Sequence, residues 1–141
     1  MRRILVAVDG SECSQHALRY LIDQQKKQSA QADVHVLYVQ LPLMELPPGI
    51  VKPERLARMR QDEAEAATRP AHDLLAEAGL PHKVEVQVGD PAEMITRYAK
   101  VHECDEIVMG TRGLGTIKSL VIGSVAYKVV HLSDRPVLLV K

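Results

Sequence analysis

The residues best suited to chemistry in this chain are glycines. Met109-Gly110-Thr111-Arg112-Gly113 is followed by Leu114-Gly115-Thr116, and nine residues separate Gly113 from a further Gly123-Ser124 pair. The apolar run Glu106-Ile107-Val108-Met109 leads into the first of these glycines, and a helical pattern begins after the last. A strand, a glycine loop and a helix in that order let backbone N–H groups approach an anion without interference from Cβ atoms. The helix then points its positive end at the same place. A phosphate-bearing ligand is the natural occupant, and Gly123 is expected to use a positive φ at the turn. Arg112 and Lys118 either add charge near such a ligand or are solvated surface residues.

A second polar break, Asp9-Gly10-Ser11, ends the first apolar run of the chain, Arg3 to Val8. Asp9 offers a carboxylate to a ligand there, or caps the following helix. Ser11 is a second capping candidate, because Ala17, Leu18, Leu21 and Ile22 then recur at helical spacing.

These loops need a frame. Arg3–Val8 is a short, continuously apolar segment, the pattern of a strand buried on both faces. Val34–Val39 reads as a second strand. Leu41–Lys52, with prolines at 42, 47 and 48, reads as a long loop, a kind of segment that is commonly functional or mobile. A charged helical pattern spans Glu54–Ala78, where Pro70 is expected to kink or split it and Gly79 to stop it. Its charged face, Glu54 to Arg69, is expected to meet solvent. His82–Val88 alternates and reads as a half-exposed strand near a sheet edge. Asp90-Pro91-Ala92-Glu93 is a helix start, with Asp as the cap, proline in the first turn and glutamate after it. That helix should run to about His102. Glu106–Met109 is the fourth strand, Val125–Leu132 a helix, and Pro136–Val140 the last strand. Five strands alternating with helices imply one α/β domain, an open, doubly wound parallel sheet with helices on both faces. In such sheets a ligand binds beyond the carboxyl ends of the strands, where the winding reverses. Asp9 and the glycine loop then face one crevice.

Composition narrows the function. The chain has 141 residues, the length of one ordinary domain, and its 18 Lys+Arg balance 18 Asp+Glu. A nucleic-acid or membrane-surface partner would call for a basic excess. Phe and Trp are absent and Tyr numbers four, so the core is aliphatic and base-stacking platforms are lacking. No apolar run reaches the roughly 20 residues of a membrane span. The Met-Arg-Arg start leads straight into a strand without a small-residue cleavage site, so a cytoplasmic location is expected. Cys13 and Cys104 form no CxxC pair and are expected to be unpaired thiols. Cys13, in a first helical turn, is the one candidate for a lowered pKa. The six histidines show no HxxxH or HExxH pattern, which argues against zinc.

Known nucleotide motifs mostly fail. Gly110 to Gly115 supplies GxxxxG, but Thr116-Ile117 precedes Lys118-Ser119, which puts the lysine two residues out of register for a P-loop. No GxGxxG follows the first strand, and Asp9 stands without the acidic cluster of a phosphoreceiver. What survives is Gly-x-x-Gly, nine residues, then Gly-Ser.

With Asp9-Gly10-Ser11 and Gly89-Asp90-Pro91-Ala92-Glu93, this pattern resembles the universal stress protein family, in its nucleotide-binding branch. The likeness runs from Arg3 to Pro136-Val137-Leu138-Leu139-Val140, and Ile107–Leu114 is its most specific stretch. The resemblance implies a Rossmann-like strand order of 3-2-1-4-5 and ATP in the crevice. Ala7 would be small enough for adenine to lie close, Asp9 would accept from ribose or adenine-edge donors, and Val39 would offer backbone N–H and C=O groups to the adenine edge. Met109, Gly110, Thr111, Arg112, Gly113, Leu114, Gly115 and Thr116 would wrap ribose and phosphates through backbone donors. Gly123, Ser124, Val125 and Ala126 would close on the terminal phosphates. A Mg²⁺ ion could ride on the phosphates without protein ligands of its own. The resemblance further implies a homodimer through residues 136–140, whose uncovered edge would otherwise invite aggregation. The functional expectation is a regulatory module acting in stress response through an unidentified protein client. The alternative is a slow ATPase or phosphotransferase, although the glycine loop carries no carboxylate or histidine to serve as a base.

Overall fold

The structure is a computed structural model that describes residues 1–43, 47, 49–113 and 122–141. Nine elements alternate along it: β1 (Arg3–Ala7), α1 (Glu12–Lys26), β2 (Asp33–Gln40), α2 (Pro53–Glu77), β3 (His82–Val88), α3 (Pro91–Val101), β4 (Glu106–Gly110), α4 (Ser124–Leu132) and β5 (Val137–Val140). All four strand pairings are parallel, in the order β3-β2-β1-β4-β5. This is the expected doubly wound sheet, with the winding reversed between β1 and β4.

The continuous apolar pattern of β1 has a direct cause. Ile4, Val6 and Val8 face a core shared with α1 and α2, whereas Leu5 and Ala7 face a second core shared with α3 and α4. Right-handed crossovers force this division: the helices that lead leftward from β1 cover one face, and those that lead back cover the other. The core is aliphatic, with Tyr38 and Tyr98 the aromatic residues buried in it.

Local signals act where expected. Ser11 caps α1 by accepting the Ser14 N–H at 3.2 Å, and Asp90 caps α3 by accepting the Glu93 N–H at 3.1 Å. Gly79 (φ +69°) ends α2, with its N–H on the Ala76 carbonyl and the Leu80 N–H on the Leu75 carbonyl. This left-handed cap satisfies two otherwise orphaned carbonyls.

Pro70 does not split α2, contrary to one of the two expected outcomes: a single 25-residue helix runs through it. The missing N–H costs one helical bond, but Ala67, Ala71 and Leu75 on either side bury against the sheet and hold the axis together. β3 is an edge strand as expected, with Val84, Val86 and Val88 exposed. β5 forms the other edge.

Candidate functional site

A cavity of about 720 Å³ opens above the carboxyl ends of β1, β2 and β4. It is lined by Ala7, Asp9, Val39, Met109, Gly110, Thr111, Arg112 and Gly113, and by Gly123, Ser124, Val125 and Ala126 across from them. The described part of the sequence-derived site therefore converges. Leu114, Gly115, Thr116 and Lys118 lie outside the described residues.

The glycines differ in their reasons. A Cβ on Gly110 would stand 2.9 Å from the backbone and Sγ of Cys13, so Gly110 is required by the start of α1 packing against the end of β4. A Cβ on Gly113 would meet the Asp9 carboxylate at 2.5 Å. That glycine is what lets the loop come down onto Asp9. The other carboxylate oxygen of Asp9 accepts the Ser11 N–H at 2.9 Å, while the cap of α1 itself is Ser11. Asp9 thus stands at the end of β1 against Gly113 while bracing the start of α1 through Ser11.

One backbone donor credited to the loop is already committed. The Thr111 N–H donates to the Val140 carbonyl at 2.9 Å, and Gly110 is still in register with Val140 inside the sheet. Gly110 and Thr111 form the floor of the cavity, and Arg112 and Gly113 are the described loop residues beyond the sheet.

The β2 wall has an open backbone edge. Val8 donates to the Leu37 carbonyl at 3.0 Å, and Gly89 donates to the Gln40 carbonyl at 2.9 Å. In a parallel ladder, alternate residues turn both backbone groups to the same neighbour. Leu37 and Val39 therefore face β1, and Gln40 faces β3. Because β1 ends at Ala7, opposite Leu37, the N–H and C=O of Val39 project past its end into the cavity.

Arg60 and Glu63 of α2 also line the cavity, which corrects the expectation that this charged face simply meets solvent. Tyr38 donates to Glu63 at 3.1 Å, and the Gln40 side chain donates to the Arg60 carbonyl at 2.7 Å. Burial, then the neighbouring Glu63 carboxylate, pushes the Tyr38 phenol up to about 12. The Arg60 guanidinium holds the Leu41 carbonyl at 3.1 Å, fixing the start of the proline-rich segment beside the cavity. Helical periodicity alone could not distinguish these two side chains from their solvated neighbours.

Gly123 takes φ −72° and ψ 162°, not a positive φ. It is the N-cap of α4, and its own N–H is spent on the Thr111 carbonyl at 2.6 Å. A cap residue sits in the extended region so that its carbonyl can enter the helix, and here that carbonyl accepts from Tyr127 at 3.0 Å. The donors left for an anion are the first-turn amides of α4, beginning at Ser124.

Other candidates lie elsewhere. Cys13 and Cys104 are both free and buried. Cys13 donates to the Val140 carbonyl at 3.3 Å, beneath the loop, while burial pushes the Cys104 thiol up. His35 is buried near the amino ends of the strands, remote from the cavity, between Asp33 (3.1 Å) and Tyr98 (3.0 Å). Among the described residues no group of three or more His, Cys, Asp or Glu side chains converges as a metal site, and no helix is long and apolar enough to cross a membrane.

Comparison with known proteins agrees with this architecture. A universal stress protein of Thermus aquaticus is 36% identical over 99% of this chain and 98% of its own length. The structure of a universal stress protein from Lactobacillus plantarum matches at a TM-score of 0.84 and 26% identity, covering 99% of this chain and 97% of that one. A universal stress protein from Archaeoglobus fulgidus, solved in complex with dAMP, matches at 0.66 and 25% identity over 100% and 98% of the two chains. The model of the universal stress protein family matches residues 1–141, and the chain belongs to that family.

Proposed function

We propose that this protein is an ATP-binding regulatory module acting in stress response. The observation that carries this reading is the Val39 backbone edge, open beyond the end of β1 and facing the same cavity as the first turn of α4. One end of the cavity offers a donor and an acceptor in the arrangement of an adenine edge, and the other offers helix amides suited to phosphate. The volume lies within the range of small-molecule sites. The dAMP complex of the Archaeoglobus fulgidus relative supports an adenine nucleotide as the ligand class.

The residues present fit such a ligand. Ala7 and Val39 would flank the base, Asp9 would accept from the ribose, and Arg112 and Gly113 would lead toward the phosphates with Leu114, Gly115 and Thr116. Ser124, Val125 and Ala126 would supply amides, and Ser124 a hydroxyl. A Mg²⁺ ion would be carried by phosphate oxygens and water. We further propose a cytoplasmic homodimer through β5, with a protein client responding to the nucleotide state.

The test is to denature freshly purified protein and identify the released nucleotide by chromatography and mass spectrometry, followed by calorimetric titration of ATP, ADP and AMP. Release of an adenine nucleotide, with micromolar ATP affinity, is expected. No measurable affinity for any of the three would overturn the reading. A single-turnover assay with protein in excess distinguishes the binding module from a slow ATPase: ATP recovered intact is the expected result.

A further inference from the structure

Nine residues separate His72 from His82, a spacing without a metal-binding pattern, yet the fold brings their rings together. Nδ1 of His72, on α2, lies 2.8 Å from Nε2 of His82, at the start of β3. The second nitrogen of His82, Nδ1, lies 2.8 Å from the Leu80 carbonyl. A carbonyl can only accept, so His82 carries its proton on Nδ1. Its Nε2 then holds a lone pair directed at His72, whose Nδ1–H donates to it.

This is the arrangement of a ligating histidine held by a backbone carbonyl behind it, which fixes tautomer and orientation. The separation of the two facing nitrogens also carries information. With metal–nitrogen bonds of about 2.0–2.1 Å, adjacent ligands of a square-planar or octahedral ion stand about 2.9 Å apart, and tetrahedral ligands about 3.3 Å apart. The observed 2.8 Å is the length of the hydrogen bond itself and holds the two nitrogens within the span that one such ion bridges; among divalent first-row ions, imidazole sites hold Cu²⁺ most tightly. A cleft of about 390 Å³ opens beside His72, bordered by Glu65, Thr68, Arg69 and Val84, where the Arg69 charge is paired with Glu65, with room for water ligands to complete the shell.

We propose that His72 and His82 form a surface chelate for a divalent transition metal of tetragonal preference, Cu²⁺ above all, clipping α2 to β3. For Cu²⁺ to enter, His72 Nδ1 gives up its proton and the solvent-facing Nε2 of the same ring takes one from water, so the neutral pair keeps its charge. Both rings must turn out of their mutual hydrogen bond so that the two lone pairs converge on the ion. Acid opposes binding, because protonated imidazoles cannot ligate. The site stands apart from the nucleotide cavity and does not depend on that reading.

The test is titration of tag-free, full-length protein with Cu²⁺, followed by electron paramagnetic resonance and thermal unfolding. One equivalent of Cu²⁺ with splitting from two imidazole nitrogens is expected, together with a rise in Tm. His72→Gln and His82→Gln should each lower the affinity at least ten-fold and abolish the Tm rise. His16→Gln, at an exposed histidine on α1, should change neither. Circular dichroism checks that the variants fold. A wild-type spectrum with one imidazole nitrogen or none, or an affinity unchanged in both pair variants, would overturn the proposal.

Discussion

The carbonyl of Val140 accepts the N–H of Thr111 at 2.9 Å, joining the end of the edge strand to the floor of the cavity. The Cys13 thiol donates to the same carbonyl at 3.3 Å, and the Thr111 carbonyl in turn holds Gly123 at 2.6 Å. The outer strand, the first helix, the glycine loop and the cap of α4 thus meet within a few bonds.

Gly110 and Gly113 should respond differently to alanine. At Gly110 the new methyl meets the backbone and thiol of Cys13, and overpacking of this kind costs about 1–3 kcal/mol. At Gly113 it meets the end of the Asp9 side chain, which can swing away at little cost to stability. Denaturant titration should therefore show a clear loss for Gly110→Ala and a small one for Gly113→Ala. ATP calorimetry should show weakened binding for Gly113→Ala, because Asp9 is displaced.

At the α4 cap, Gly123→Val should fold, since φ −72° is open to valine. Its branched side chain should nonetheless obstruct the approach to the helix amides and abolish ATP binding. Ser124→Ala should weaken binding by about 1–3 kcal/mol, the scale of a hydrogen bond to a charged group. Unchanged ATP affinity in both variants would remove the phosphate assignment from this turn.

The outer edge of β5 is defined by parity. Pro136 and Val140 turn their carbonyls to Ile107 and Thr111 of the β4 side, so the backbone groups of Leu138 face β4 as well, and those of Val137 and Leu139 face the open edge. Proline at 139 removes an outward N–H and should dissociate a β5-mediated dimer while sparing the β4 ladder, with only the partial core packing of Leu139 lost. Proline at 138 breaks the β4 ladder instead and should lower stability. Light scattering and thermal unfolding read the two effects, and a wild-type mass of one chain would exclude this dimer.

His35 should make stability fall in acid. Burial, together with the positive Lys83 and Arg3, holds its pKa below 6.5 despite the opposing hydrogen bond to Asp33. The unfolded chain therefore takes up a proton that the folded chain refuses, and stability declines as pH falls below 6.5. Burial raises Asp33, but the His35 and Arg3 contacts outweigh it and leave its pKa lowered, so a second loss follows below 3.8. His35→Gln should flatten the upper part of this profile in denaturant titrations from pH 7 to 4.

The sequence by itself determined the element order, the helix caps at Ser11 and Asp90, the stop at Gly79 and the two-faced burial of β1. These depend on neighbours a few residues apart, and apolar periodicity records them directly. It also marked Asp9 and the glycine loop as partners, because parallel crossovers leave all carboxyl strand ends on one side of the sheet. Only the tertiary structure decided what each glycine is for: Gly110 yields to Cys13, Gly113 to Asp9, and Gly123 caps with a negative φ. Only it assigned Arg60 and Glu63 to the cavity wall, turned the backbone groups of Leu138 toward β4 and those of Leu139 to the open edge, and set His72 against His82. Each of these depends on register or on the docking of distant segments, which local spacing cannot encode.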